Sequence, residues 1–174
     1  MKSLVVYSSR TGNTEKVARA IHAALPRPAD IQRVEEYPDP SDYDFVAVGF
    51  WVDKGAPDAE AQIYMRSLQG KAVGLFGTLG AWPDSDHAKD CLRKAEELVR
   101  GNEVLGSFLC QGRIDLRIIE VMRKMASDVH PMTPERLARI REAEKHPDDH
   151  DLQAAQAAFV RMIEGLSPEA PCAS

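Results

Sequence analysis

The sequence predicts an α/β fold with a doubly wound, five-stranded parallel sheet. Two observations carry this. Short continuous apolar runs recur along the chain at Leu4–Tyr7, Phe45–Phe50, Ala72–Gly77 and Val104–Leu109. Such runs suit strands covered on both faces. Between them lie segments with apolar residues at helical spacing, and strict strand–helix alternation specifies a parallel sheet. A fifth, polar strand at Ile31–Glu35 suits a sheet edge. Its polarity fits the order 2-1-3-4-5, in which ligands bind beyond the carboxyl ends of strands 1 and 3, where the order reverses.

Each element has its own warrant. After Leu4–Tyr7 comes a polar loop, Ser8 to Thr14, and then Val17, Ala20, Ile21 and Ala24 mark a helix to about Leu25. Pro26 to Asp30 breaks the chain, and Tyr37 to Asp44, with Pro38 and Pro40, reads as a surface loop. Trp51 to Gly55 reads as the loop after the central strand. Pro57 sits near a helix start, with Ala61, Tyr64, Met65 and Leu68 on one face. Gly70 and Lys71 close that helix, and Thr78 to Trp82 is the loop after the next strand. Asp84 or Ser85 caps a helix with Ala88, Leu92, Ala95, Leu98 and Val99 inward, and Cys110 to Asp115 follows the last strand. Leu116 to Met125, a stretch from Thr133 and a stretch from Pro147 read as extra C-terminal helices. The whole chain, 1–174, reads as one domain with a helical insertion at about 116–145 and a frayed tail after 165.

The composition excludes several classes. Apolar residues make up 44% and charged residues 28% of 174, which is globular and allows a full-sized core. No apolar run reaches membrane-spanning length and no signal peptide is visible, so membrane insertion is not expected. A net charge of −5 argues against nucleic acid as a partner. Cys91, Cys110 and Cys172 form no zinc or redox spacing, which fits a reducing, cytoplasmic setting. His146 and His150, and the arginines from Arg136 to Arg141, read as surface residues.

The chemistry concentrates at the first loop. A helix N-terminus offers unpaired N–H groups and the positive end of a dipole, which suits phosphate. Hydroxyls of Ser9, Thr11 and Thr14 can donate to phosphate oxygens, and Gly12 permits a tight turn. The loop is neither a Walker A motif nor Gly-x-Gly-x-x-Gly. A purely structural turn with Thr as N-cap is the other reading of these residues.

The stretch Ser9-Arg10-Thr11-Gly12-Asn13-Thr14 resembles the phosphate loop of the flavodoxin family, which holds the monophosphate of FMN. Trp51 and Trp82, the two tryptophans of the chain, resemble the aromatics that flank the flavin in that family. The resemblance extends over roughly Met1 to Leu109, to a branch of small flavodoxin-domain proteins without an attached reductase module. It implies a flavodoxin-like fold and a cofactor site formed by Ser9 to Thr14, by Trp51, Val52, Asp53, Lys54 and Gly55, and by Thr78, Leu79, Gly80, Ala81 and Trp82. Gly55, Gly77 and Gly80 would let backbone approach a ring edge, and Asp53 and Lys54 would tune the reduced flavin.

The function this implies is an FMN-bound electron-transfer protein serving a reductase and an acceptor redox protein. An FMN-dependent NAD(P)H oxidoreductase acting on quinone-like acceptors is the alternative on the same fold. A flavin-free binding module of the same shape is disfavoured, because hydroxyls rather than an acidic pair follow the first strand.

Overall fold

The computed structural model describes residues 1–115, 117, 119–120 and 133–166. The strand β1 (Ser3–Tyr7) leads to α1 (Asn13–Ala24), then β2 (Ala29–Arg33) and one 3₁₀ turn (Val34–Glu36). Next come β3 (Phe45–Asp53), β4 (Ala56–Pro57), α2 (Ala59–Ser67), β5 (Ala72–Leu79), α3 (Asp86–Leu98) and β6 (Glu103–Gln111). Among the described residues, α4 (Pro134–Ala143) and α5 (Asp149–Glu164) follow.

The sheet order is β2-β1-β3-β5-β6, with every neighbouring pair parallel. Setting aside the two-residue β4, this is the predicted 2-1-3-4-5 order of a flavodoxin-like fold. The difference in detail is β4, which pairs antiparallel with the end of β3.

Both faces of the sheet are covered, as the continuous apolar runs require. On one face Leu4, Val6, Val46, Val48, Phe50, Val73 and Leu75 pack against α2 and α3. On the other, Val5, Tyr7, Phe45, Ala47 and Phe76 pack against α1 and α5. Phe159 of α5 meets Phe45 and Phe76 edge-on, with ring centroids 6.2 and 5.7 Å apart. Gly74 makes room for it: a Cβ there would lie 2.6 Å from the Phe159 ring.

Several boundaries differ from expectation. The edge strand β2 begins at Ala29 because Ser3 to Tyr7 pair with Ala29 to Arg33, so ladder bonds override the local breakers. Trp51, Val52 and Asp53 are strand, not loop, because Trp51 pairs with Thr78 and Val52 and Asp53 pair with Pro57 and Ala56. Lys54 and Gly55, at φ 48° and 76°, form the two-residue turn of this hairpin. Positive φ at both positions matches a type I′ turn, whose twist suits a tight hairpin. Pro57 therefore belongs to β4, and Asp58 caps α2. Thr78, Leu79, Cys110 and Gln111 likewise extend β5 and β6, which pair as far as Leu79 with Gln111. The arginine segment is not fully solvated, since Arg136 and Arg139 are half-buried on α4. His146 is half-buried too. The expected helical face of Ile118, Val121, Met122 and Met125, and the tail beyond Leu166, lie outside the described residues.

Candidate functional site

The carboxyl ends of β1, β3 and β5 bring the three expected segments to one edge of the sheet. The loop from Ser8 to Gly12 leaves β1 and enters α1 through Gly12, the N-cap residue, at φ 88°. A Cβ on Gly12 would meet nothing within 4 Å, so the mouth of the helix is open there. Ser9 Oγ accepts from the Gly12 and Glu15 N–H groups at 3.2 and 3.3 Å, which shapes the loop into a shallow cup. Asn13 Nδ2 donates to Thr11 Oγ1 at 3.0 Å and to the Arg113 carbonyl at 2.9 Å. It thereby ties this loop to the one after β6.

Thr14 is placed differently from the exposed Thr11. It is buried, and its hydroxyl lies 2.9 Å from that of buried Thr78. The pair bridges α1 to β5, so Thr14 sets the distance between two walls of the site. Arg10 leans over the Trp51 ring, its guanidinium carbon 5.4 Å from the centroid, and pairs with Asp115 at 3.5 Å. The bond from Arg117, helped by Arg10, holds the Asp115 carboxyl below its ordinary value.

Trp51 is half-buried, whereas Trp82 is 44% exposed. Trp82 begins a turn closed by Ser85, which caps α3. Asp53 and Lys54 are exposed at the hairpin tip, and Val52 packs into the core beneath it. The glycines serve the chain's own packing. Beside Gly80 a Cβ would lie 2.6 Å from Ile114, and beside Gly77 it would lie 2.7 Å from Phe50. Gly55 is backed by His87, and its carbonyl accepts from Lys94 Nζ at 2.7 Å. Leu79 is buried, and Ala81 is half-buried beyond it.

The sequence reading missed Asp58. It is 3% exposed and joins three elements of the site. Its carboxylate accepts from Ser8 Oγ at 2.8 Å, from the Ala61 N–H at 3.2 Å and from the Trp51 N–H at 3.3 Å. Burial pushes this carboxyl above its ordinary value, offset in part by those three bonds. An Asp just before a helix signals a cap, but nothing local signals that Ser8, fifty residues earlier, donates to it. Gln111 was missed as well. It is buried at the end of β6, and its Nε2 has no partner among the described residues.

This donor set fits FMN. A phosphate dianion suits the open helix mouth at Gly12, with the Ser9 and Thr11 hydroxyls beside it and the Arg10 guanidinium within the same loop. A planar ring suits the aromatic faces of Trp51 and Trp82. Asp58 and the Thr14–Thr78 pair would not touch the cofactor on this arrangement; they hold its walls in register.

The model of the flavodoxin domain family matches residues 4–160. The flavodoxin-like domain-containing protein BilS of Clostridioides difficile (strain CD3) is 34% identical, over 94% of this chain and 97% of that protein. Among solved structures, oxidised Flavodoxin 2 from Bacillus cereus superposes with a TM-score of 0.61 at 18% identity, over 95% of this chain and 99% of that one. A flavoprotein in complex with FMN from Lactobacillus acidophilus NCFM gives a TM-score of 0.50 at 17% identity, over 62% and 92% of the two chains. The matched family model, the near full-length relative and the sheet topology agree, and the chain belongs to the flavodoxin domain family.

Proposed function

We propose that the protein binds FMN and carries electrons between a reductase and an acceptor redox protein. The observation that supports this most is the shared edge: the open N-terminus of α1 and both tryptophans stand at the carboxyl ends of adjacent strands. FMN, when bound, supplies one- and two-electron redox chemistry. The chain's part is to hold and orient it. First-turn N–H groups of α1 would hold the phosphate, and Trp51, fixed through its backbone N–H by Asp58, would offer a flat face to the ring. The Lys54–Gly55 turn, anchored by Lys94, would set how closely backbone approaches that ring.

A carrier is favoured over an NAD(P)H oxidoreductase for two reasons. The sequence has no Gly-x-Gly-x-x-Gly turn for a dinucleotide. Tryptophans over the ring would also deny a nicotinamide the parallel approach that hydride transfer needs. No helix among the described residues is long and apolar enough to cross a membrane. A cytoplasmic setting with separate protein partners fits this reading.

Anaerobic titration of the purified, FMN-loaded protein tests it. Photoreduction should proceed in two separable one-electron steps by absorbance. NADH or NADPH alone should reduce the flavin slowly or not at all, while an added flavodoxin reductase should reduce it fast. Rapid two-electron reduction by NAD(P)H would replace the carrier with the oxidoreductase.

A further inference from the structure

Behind the Lys54–Gly55 turn, a groove of about 380 Å³ runs between α2 and α3. Its polar rim is Gln62, Arg66, Lys94, Glu97 and Arg100. Three cations thus face one acid, on a chain whose net charge is −5. The acid is already engaged, since Glu97 accepts from Arg93 at 3.0 Å. Arg66 donates to the neutral Gln62 side chain and Lys94 to the Gly55 carbonyl. Among the described residues none of the three cations makes an ion pair with a carboxylate.

We propose that this groove docks an acidic segment of the protein partner, carboxylate by carboxylate. The proposal rests on the carrier reading above and names the chemistry of one partner. The cations are rooted at separate places along the rim: Arg66 in the last turn of α2, Lys94 within α3, and Arg100 past the end of α3, a backbone rise on the order of 9 Å from Lys94. Spaced charges in an open groove match a run of Asp and Glu, whereas a single small anion needs donors aimed at one point. The location fits the task. Lys94 belongs both to the groove and to the anchor of the hairpin turn, so a partner seated there lies beside the cofactor edge.

The test uses the full-length, FMN-loaded protein and a fluorescein-labelled glutamate oligomer, followed by anisotropy at low salt. Arg66→Glu with Arg100→Glu should weaken binding by about tenfold or more, and Arg66→Gln with Arg100→Gln by less. Arg161→Glu, on α5 across the sheet, should change it by less than about twofold. Salt of about 0.5 M should abolish binding, because the Debye length then falls to a few ångströms. Wild-type affinity in both double variants would overturn the proposal, as would an equal loss in Arg161→Glu. Displacement of the oligomer by equimolar inorganic phosphate would overturn it in favour of a small-anion site. FMN content and photoreduction are followed in the same samples. Lost oligomer binding with FMN retained bears on the groove alone, whereas failure to hold FMN or rapid reduction by NADPH bears on the carrier reading alone.

Discussion

Asp58 is a carboxylate with three donors and almost no water, and each donor comes from a different part of the site. Asp58→Ala would remove the cap of α2 and leave the Ser8 hydroxyl and Trp51 N–H without this acceptor, at a combined cost of about 2–4 kcal/mol. Urea unfolding against wild type measures this. Burial raises the folded-state value of this carboxyl, so its contribution to stability is largest in acid and declines as pH rises through that value. Asp58→Asn should abolish that part of the pH dependence, which sets in as pH rises above about 4. The two loop threonines should separate cleanly. Thr11 is exposed at the helix mouth, so Thr11→Ala should lower FMN affinity by about ten- to a hundredfold, the worth of one bond to a charged group, and leave riboflavin binding unchanged. Thr14 is paired with Thr78, so Thr14→Val should cost stability of about 1 kcal/mol and affect both ligands alike. Isothermal titration with the two ligands distinguishes these outcomes.

Helices begin and end where the chain supplies caps, and the junction of α4 with α5 shows how one side chain can serve both. Asp148 and Asp151 form a capping box at the start of α5. His146 Nδ1 bonds Asp151, its Nε2 lies 3.6 Å from Glu142 of α4, and its carbonyl accepts from the Arg113 N–H. The bond to Asp151 raises the His146 value above normal, with the Asp151 and Asp148 charges and Glu142 adding to the shift. A raised histidine contributes stability that is complete below its unfolded value near 6.5 and is lost as pH rises through its folded value. Stability should therefore fall as pH rises above about 6.5 in the wild type and much less in His146→Gln, by chemical unfolding at each pH. The sequence reading placed this helix start at Pro147-Asp148-Asp149 because local caps are written in neighbouring residues. It took His146 for a surface residue because its partners depend on how two helices meet. The hairpin was hidden for a similar reason. Trp51 and Val52 prolong the apolar run into a polar turn, and their pairing, Trp51 with Thr78 and Val52 and Asp53 with Pro57 and Ala56, is what makes them strand.

At the scale of the molecule, the apolar runs made the sheet legible, since a strand buried on both faces must be apolar throughout. The segments forming the site were legible too, because ligands of such sheets gather at the strand-order reversal. The bonds that bind those segments together were not, as Ser8 to Asp58 and Thr14 to Thr78 span fifty and sixty-four residues. The C-terminal helix closes the structure. Phe159 fills the space over Gly74 between Phe45 and Phe76, so Phe159→Ala should cost about 3–5 kcal/mol, enough to threaten folding of a typical domain. A drop in thermal midpoint with the denaturant slope unchanged would register it. The unequal setting of the two tryptophans has an optical consequence. In the FMN-free protein Trp82, 44% exposed, should emit as the more hydrated indole and be quenched faster by acrylamide than Trp51, half-sheltered beneath the Arg10 guanidinium. The emission spectrum of the FMN-free chain should thus serve as a two-component gauge of its own sheet edge, with one colour for the outer rim and one for the wall behind it.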